Sequence, residues 1–138
     1  MFDENLGTIL YVEDNPDNRM LVRRVLMAEG YTIHEAPSAT QAFEVLKTIK
    51  PDLILMDIKM PEMDGLEVTK SVKHLRPDID VIIITGYASV ETAVETMKYG
   101  AMDYFQKPFT EDELLAFVKK TLIKRQDKIQ KQLKPKVH

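Results

Sequence analysis

Short apolar runs alternate with stretches of helical spacing along this chain. The first run, Thr8-Ile9-Leu10-Tyr11-Val12, is continuous and β-branched, as a buried strand requires. It ends in Glu13-Asp14. Asn15-Pro16 then predicts a helix start, with Asn as cap and Pro in the first turn. Leu21, Val22, Val25, Leu26 and Ala28 keep helical spacing as far as Gly30, a natural stop. Residues 31–36 read as a weaker strand that carries His34 and Glu35 and suits a sheet edge. Ser38 and Gln41 form a capping-box signature before a face of Ala42, Phe43, Leu46 and Ile49, and Pro51 is expected to end that helix.

The third strand, 53–56, is closed by Asp57, and the chain breaks at Pro61 and again at Asp64-Gly65. A helix is expected from there, with Leu66, Thr69, Val72 and Leu75 inward and Pro77 as its stop. Val81-Ile82-Ile83-Ile84 is the most hydrophobic strand and leads into Thr85-Gly86. Ser89 predicts the cap of a helix with Ala93, Val94 and Met97, ended by Gly100. Asp103-Tyr104-Phe105 follows as a short fifth strand, then Gln106-Lys107-Pro108. Thr110 and Glu113 form a capping box for the last helix, whose face is Leu114, Leu115, Phe117, Val118, Leu122 and Ile123. Five strand–helix units in strict alternation, with continuous apolar strands, imply an α/β fold: a parallel sheet wrapped by helices.

Composition narrows this further. A chain of 138 residues fits one domain, and 44% hydrophobic with 30% charged residues is ordinary for a globular protein. The net charge of −3 hides an asymmetry. Residues 124–138 carry +5, a basic tail from Lys124 to Lys136, so residues 1–123 carry −8. That balance argues against nucleic-acid binding by this chain. There is no cysteine, hence no disulfide and no Cys-based zinc site. No apolar run approaches the ~20 residues of a membrane span, and a cytoplasmic location is expected.

Polar groups follow four of the five strands at their carboxyl ends: Glu13 and Asp14, Asp57, Thr85, and Lys107. In open α/β sheets, ligands bind at these ends. Each residue alone has a plain reading: a cap, a turn, a solvated lysine. Brought into one cleft, three carboxylates repel, an uncompensated pair at ~4 Å costing ~4 kcal/mol at an effective dielectric of 20. Binding a cation relieves this, and Mg²⁺ suits an all-oxygen site. Phosphoryl transfer uses such an ion, and a carboxylate such as Asp57 can serve as its nucleophile. Lys107 would then pair with one phosphoryl oxygen as a point charge, and the Thr85 hydroxyl would bond another.

Taken together, four motifs resemble the receiver domain of two-component response regulators. They are Ile9-Leu10-Tyr11-Val12-Glu13-Asp14-Asn15, Asp57-Ile58-Lys59-Met60-Pro61-Glu62-Met63-Asp64-Gly65, Ile84-Thr85-Gly86-Tyr87-Ala88 and Tyr104-Phe105-Gln106-Lys107-Pro108-Phe109. The resemblance implies a flavodoxin-like, doubly wound five-stranded parallel sheet of order 2-1-3-4-5 with five helices; a family member is the standard example of that order. It implies a receiver over residues 1–124 and a basic helical extension, linker or tail over 125–138. It makes Asp57 the phosphoacceptor for a histidine kinase. Asp14, Asp57 and the backbone carbonyl of Lys59 would hold Mg²⁺, with Glu13 in place of the commoner aspartate. Thr85 and Lys107 would bind the phosphoryl group, Tyr104 would act with Thr85 as the switch, and Lys107-Pro108 would be a cis bond. The read-out would fall on the fourth helix, fifth strand and fifth helix; a homodimer formed on phosphorylation through the fourth-helix and fifth-helix face is a separate hypothesis.

Such a module regulates rather than turning over a metabolite, while assisting its own phosphorylation and dephosphorylation. The output is either a separate protein effector or a fused domain. Residues 85–109 are similar to receivers of the nitrogen-regulatory type, and the N-terminal motif also resembles hybrid-kinase receivers. The alternative function is an aspartate-nucleophile phosphatase. It places a second aspartate two residues after the nucleophile as general acid, where this chain has Lys59. A flavin carrier would need a Ser/Thr/Gly-rich phosphate loop where Glu13-Asp14-Asn15-Pro16 stands. His34, His74 and His138 show no metal spacing, and Leu122 with Ile129 is too little for a coiled coil.

Overall fold

The apolar runs pair edge to edge in parallel. The computed structural model describes residues 6–58, 65–86 and 90–133. Its elements alternate as β1 (Thr8–Val12), α1 (Pro16–Glu29), β2 (Thr32–Ala36), α2 (Ala39–Leu46), β3 (Leu53–Asp57), α3 (Gly65–Leu75), β4 (Asp80–Thr85), α4 (Val90–Lys98), β5 (Asp103–Gln106) and α5 (Glu111–Leu133). The strand order is β2-β1-β3-β4-β5, with every pair parallel. β2, the least apolar strand, is at the edge, where its partly exposed His34 and Glu35 cost least. The strands β1, β3 and β4 in the centre are buried almost throughout, because both of their faces are covered. Among the described residues no helix is long and apolar enough to cross a membrane.

The chain falls into two compact units, Met1–Pro108 with the sheet and α1 to α4, and Phe109–His138 with α5. In the first unit, alternation along each strand divides the core in two. Leu10, Val12, Ile54, Met56, Val81 and Ile83 face one cluster with Ala42, Val68 and Val72 of α2 and α3. Ile9, Tyr11, Leu53, Leu55, Ile82 and Ile84 are buried at the alternate positions. In the second unit, Thr110 Oγ1 accepts from Glu113 N and Glu113 Oε1 from Thr110 N, the expected reciprocal cap.

Helix ends follow local chemistry. Asn15 Oδ1 accepts from Asp17 N and Asn18 N at 2.8 and 3.2 Å and caps α1. Gly30 closes α1 at φ 115°, a left-handed conformation that glycine adopts without a Cβ penalty. α2 stops at Leu46, before reaching Pro51. Tight bonds from Lys47 N to Glu44 O and Thr48 N to Val45 O end it, and Ile49 lies beyond the helix. The predicted inward face of α3 also needs correction. Leu66, Thr69 and Val72 are buried, but Leu75 is 65% exposed and Val68 takes an inward place. A spacing of three drifts by about 60° per step on a helix, so the fourth position of that series has turned away. Leu21 on α1 and Ile123 on α5 are likewise exposed.

Candidate functional site

Strand register lines up the charged residues. Val12 pairs with Met56, so Glu13 and Asp57 come one step further on adjacent strands. Asp57 pairs with Ile84, Ile84 with Phe105, and Lys107 follows Phe105 by two. By the period of two, Glu13, Asp57 and Lys107 belong to one face of the sheet, the face of Tyr11 and Leu55. Thr85 and Ile83 belong to the other, and Tyr104, paired with Ile83, shares it. Oxygens of Glu13, Asp14 and Asp57 lie within 4.8 Å of one another, a grouping that can hold a metal ion.

Lys107 ties this cluster together. Its Nζ donates to Glu13 Oε1 at 2.8 Å and stands 3.9 Å from Asp57 Oδ2. Its backbone N donates to Thr85 O at 2.7 Å, fixing the start of the loop after β5, and the Lys107–Pro108 bond is cis. Glu13 is 1% exposed and Asp57 8%, while Asp14 is open to solvent. Thr85 is buried, and Tyr104 is half-buried against the cluster formed with α2 and α3.

Burial opposes ionisation of Glu13. Hydrogen bonds from Lys107 and from the Asn18 amide, with the Lys107 charge, outweigh it and hold the carboxyl well below its usual value. Tyr11 moves the other way. Burial, the Glu13 and Asp57 charges and its own hydrogen bond raise the phenol far above its usual range, so it stays protonated and donates to Glu13 Oε1 at 3.3 Å.

Several contributors carry no motif signal. Asn18 Nδ2 donates to Glu13 Oε1 at 3.0 Å from the first turn of α1. Arg19 Nη1 donates to the carbonyls of Glu13 and Asp14 at 2.6 and 3.0 Å. The available hint was position alone: both residues follow the acidic pair by about one helical turn. Gly65 is the other. Its N donates to Ile58 O at 2.9 Å, and a Cβ there would overlap the Asp57 carbonyl oxygen. Of the sequence-derived candidates, Lys59 lies outside the described residues.

The family model described as response regulator receiver domain matches residues 9–119. The transcriptional regulatory protein ZraR of Escherichia coli is 43% identical over 114 residues, 83% of this chain and 26% of that protein. Sporulation initiation phosphotransferase F of Bacillus subtilis is 40% identical over 114 residues, 83% of this chain and 92% of that protein. A CheY-like receiver domain protein from Methanospirillum hungatei superposes with a TM-score of 0.84 at 32% identity, covering 90% of this chain and 99% of its own. The chain thus spans nearly all of one relative and about a quarter of a longer one.

Proposed function

The chain belongs to the response regulator receiver family, and on that premise we propose that Asp57 accepts a phosphoryl group from a histidine kinase in a Mg²⁺-dependent reaction. The observation that carries this reading is the gathering of Glu13, Asp14 and Asp57 oxygens within 4.8 Å, with the Lys107 ammonium beside them. The donor set fits the ion: three carboxylates, all oxygen, one of them open to water. A backbone carbonyl from Lys59 would complete the protein ligands. Bound there, the ion offsets negative charge on the carboxylates and on the phosphoryl oxygens.

The chain's own residues do the rest. An Asp57 oxygen forms the new P–O bond while the donor's P–N bond breaks and its electron pair stays on the imidazole. Lys107 shifts from Glu13 toward a phosphoryl oxygen, and the Thr85 hydroxyl bonds another. The product adds roughly −1.5 to −2 charges. Movement of Thr85 opens space on the face it shares with Tyr104, and the ring position is read through α4 and β5. Inverting a 1:99 equilibrium this way takes ~5.5 kcal/mol. The reader is a protein effector, an attached output domain or a second copy of the chain. Residues 1–124 form the receiver in this reading, and 125–138 a basic extension.

Incubation with a small acyl phosphate and Mg²⁺, followed by intact mass, tests it. One base-labile phosphoryl adduct is expected, absent in Asp57→Asn and in excess chelator. Full labelling of Asp57→Asn would overturn the assignment.

A further inference from the structure

Adjacent residues of an extended strand turn their side chains to opposite faces. Glu13 and Asp14 are adjacent, yet their carboxylates converge with Asp57 within 4.8 Å. The backbone must therefore turn at this pair, and something has to hold the turn. Both carbonyls accept from a single nitrogen, Arg19 Nη1, at 2.6 Å for Glu13 and 3.0 Å for Asp14. The guanidinium is itself held from behind. Arg19 Nε lies 3.9 Å from Glu35 Oε1 on β2, and Arg23 Nη1 lies 3.0 Å from Glu35 Oε2. One turn of α1 thus supplies Asn18 to the Glu13 carboxylate and Arg19 to the carbonyls on either side of the turn.

We propose that Arg19 is a positioning residue for the cation site: it gathers the carbonyls of Glu13 and Asp14 onto one guanidinium nitrogen and so points both carboxylates at one ion, with Glu35 anchoring it. The proposal rests on the reading that the acidic cluster binds a divalent cation. Two effects of Arg19 have opposite signs. Its positive charge repels the ion, so by Coulomb forces alone its removal would tighten binding. Its hold on the turn favours binding, and loss of a group that orients a ligand typically costs 10-fold or more in metal affinity, about 10-fold being expected here. The sign of the change separates them.

The test is calorimetric titration of the full chain with Mg²⁺, without any phosphodonor, with thermal unfolding followed in parallel. Arg19→Met removes charge and donors together and is expected to bind Mg²⁺ about 10-fold more weakly. Arg19→Lys keeps the charge and the stem but loses the planar fork, and is expected to weaken binding by a smaller factor. Folded Arg19→Met that binds Mg²⁺ as tightly as the unmodified chain, or tighter, overturns the proposal. If Arg19→Met does not fold, Arg19→Lys decides, and unchanged affinity overturns it. Asp14→Asn distinguishes the two levels. Binding that Asp14→Asn abolishes and both Arg19 variants retain removes the role of Arg19 alone. No binding by the unmodified chain removes the cation site and the positioning role with it.

Discussion

Lys107 faces two carboxylates with a single positive charge, and Glu13 depends on it most, being 1% exposed with the ammonium at 2.8 Å. Truncating the lysine leaves a buried charge with one partner fewer. Lys107→Met is expected to lower stability by ~3 kcal/mol, seen as a lower urea midpoint, and saturating Mg²⁺ should restore part of the loss by replacing the missing positive charge. Tyr11 sets an alkaline limit. Its folded-state value lies above the ordinary 10.0, so its stabilising effect is complete below that pH and lost as pH rises beyond it. Tyr11→Phe is expected to cost ~1 kcal/mol at neutral pH and to flatten the decline in unfolding free energy above about pH 10. Glu13 works with the opposite sign: its contribution is complete above the ordinary 4.5 and is lost as pH falls toward about 2. These couplings were only partly legible beforehand. The strand-end positions of Glu13, Asp57 and Lys107 were visible as polar breaks in apolar runs. That a phenol from inside the first run would bond the acidic pair was not, because Tyr11 looks like any buried strand residue.

Elements meet most tightly where α3 begins. A Cβ on Gly65 would overlap the Asp57 carbonyl oxygen and lie 2.9 Å from Ile58 Cα, and neither backbone atom can swing aside as a side chain would. Gly65→Ala is expected to cost ~2 kcal/mol by overpacking and to displace the end of β3, with acyl phosphate labelling of Asp57 slowed by more than the stability loss explains. Asn15→Ala removes the acceptor for two free N–H groups of α1 and is expected to cost ~1 kcal/mol in chemical denaturation. Caps and strands could be read from sequence because their chemistry is local: Asn15-Pro16, Thr110 with Glu113, and the unbroken run 81–84. The inward face of α3 was misread because a spacing of three, counted from Leu66, outruns the helical period by Leu75. Gly65 reads as a chain break at a helix start and as the end of a motif, but its close approach to the end of the preceding strand, β3, leaves no trace in the neighbouring sequence.

At the scale of the whole molecule, parallel pairing was implied by apolar strands buried on both faces, but periodicity carried no strand order; 2-1-3-4-5 came from family resemblance. α5 runs unbroken from Glu111 to Leu133, past the onset of the basic stretch at Lys124. Deleting residues 125–138 is expected to leave the rate of Asp57 labelling unchanged, as measured by intact mass against time, since every described member of the acidic cluster and of the proposed phosphoryl-binding pair precedes Pro108. The alternation of the sheet has a consequence for descent. Glu13, Asp57 and Lys107 occupy one side, while Ile83, Thr85 and Tyr104 belong to the other. If Asp57 carries the phosphoryl group as proposed, duplicated genes can diverge around Tyr104, acquiring new listeners, while Glu13, Asp57, Lys107 and the Thr85 hydroxyl keep a common fuel. Many paralogues in one cell can then run on one chemistry and still carry separate messages.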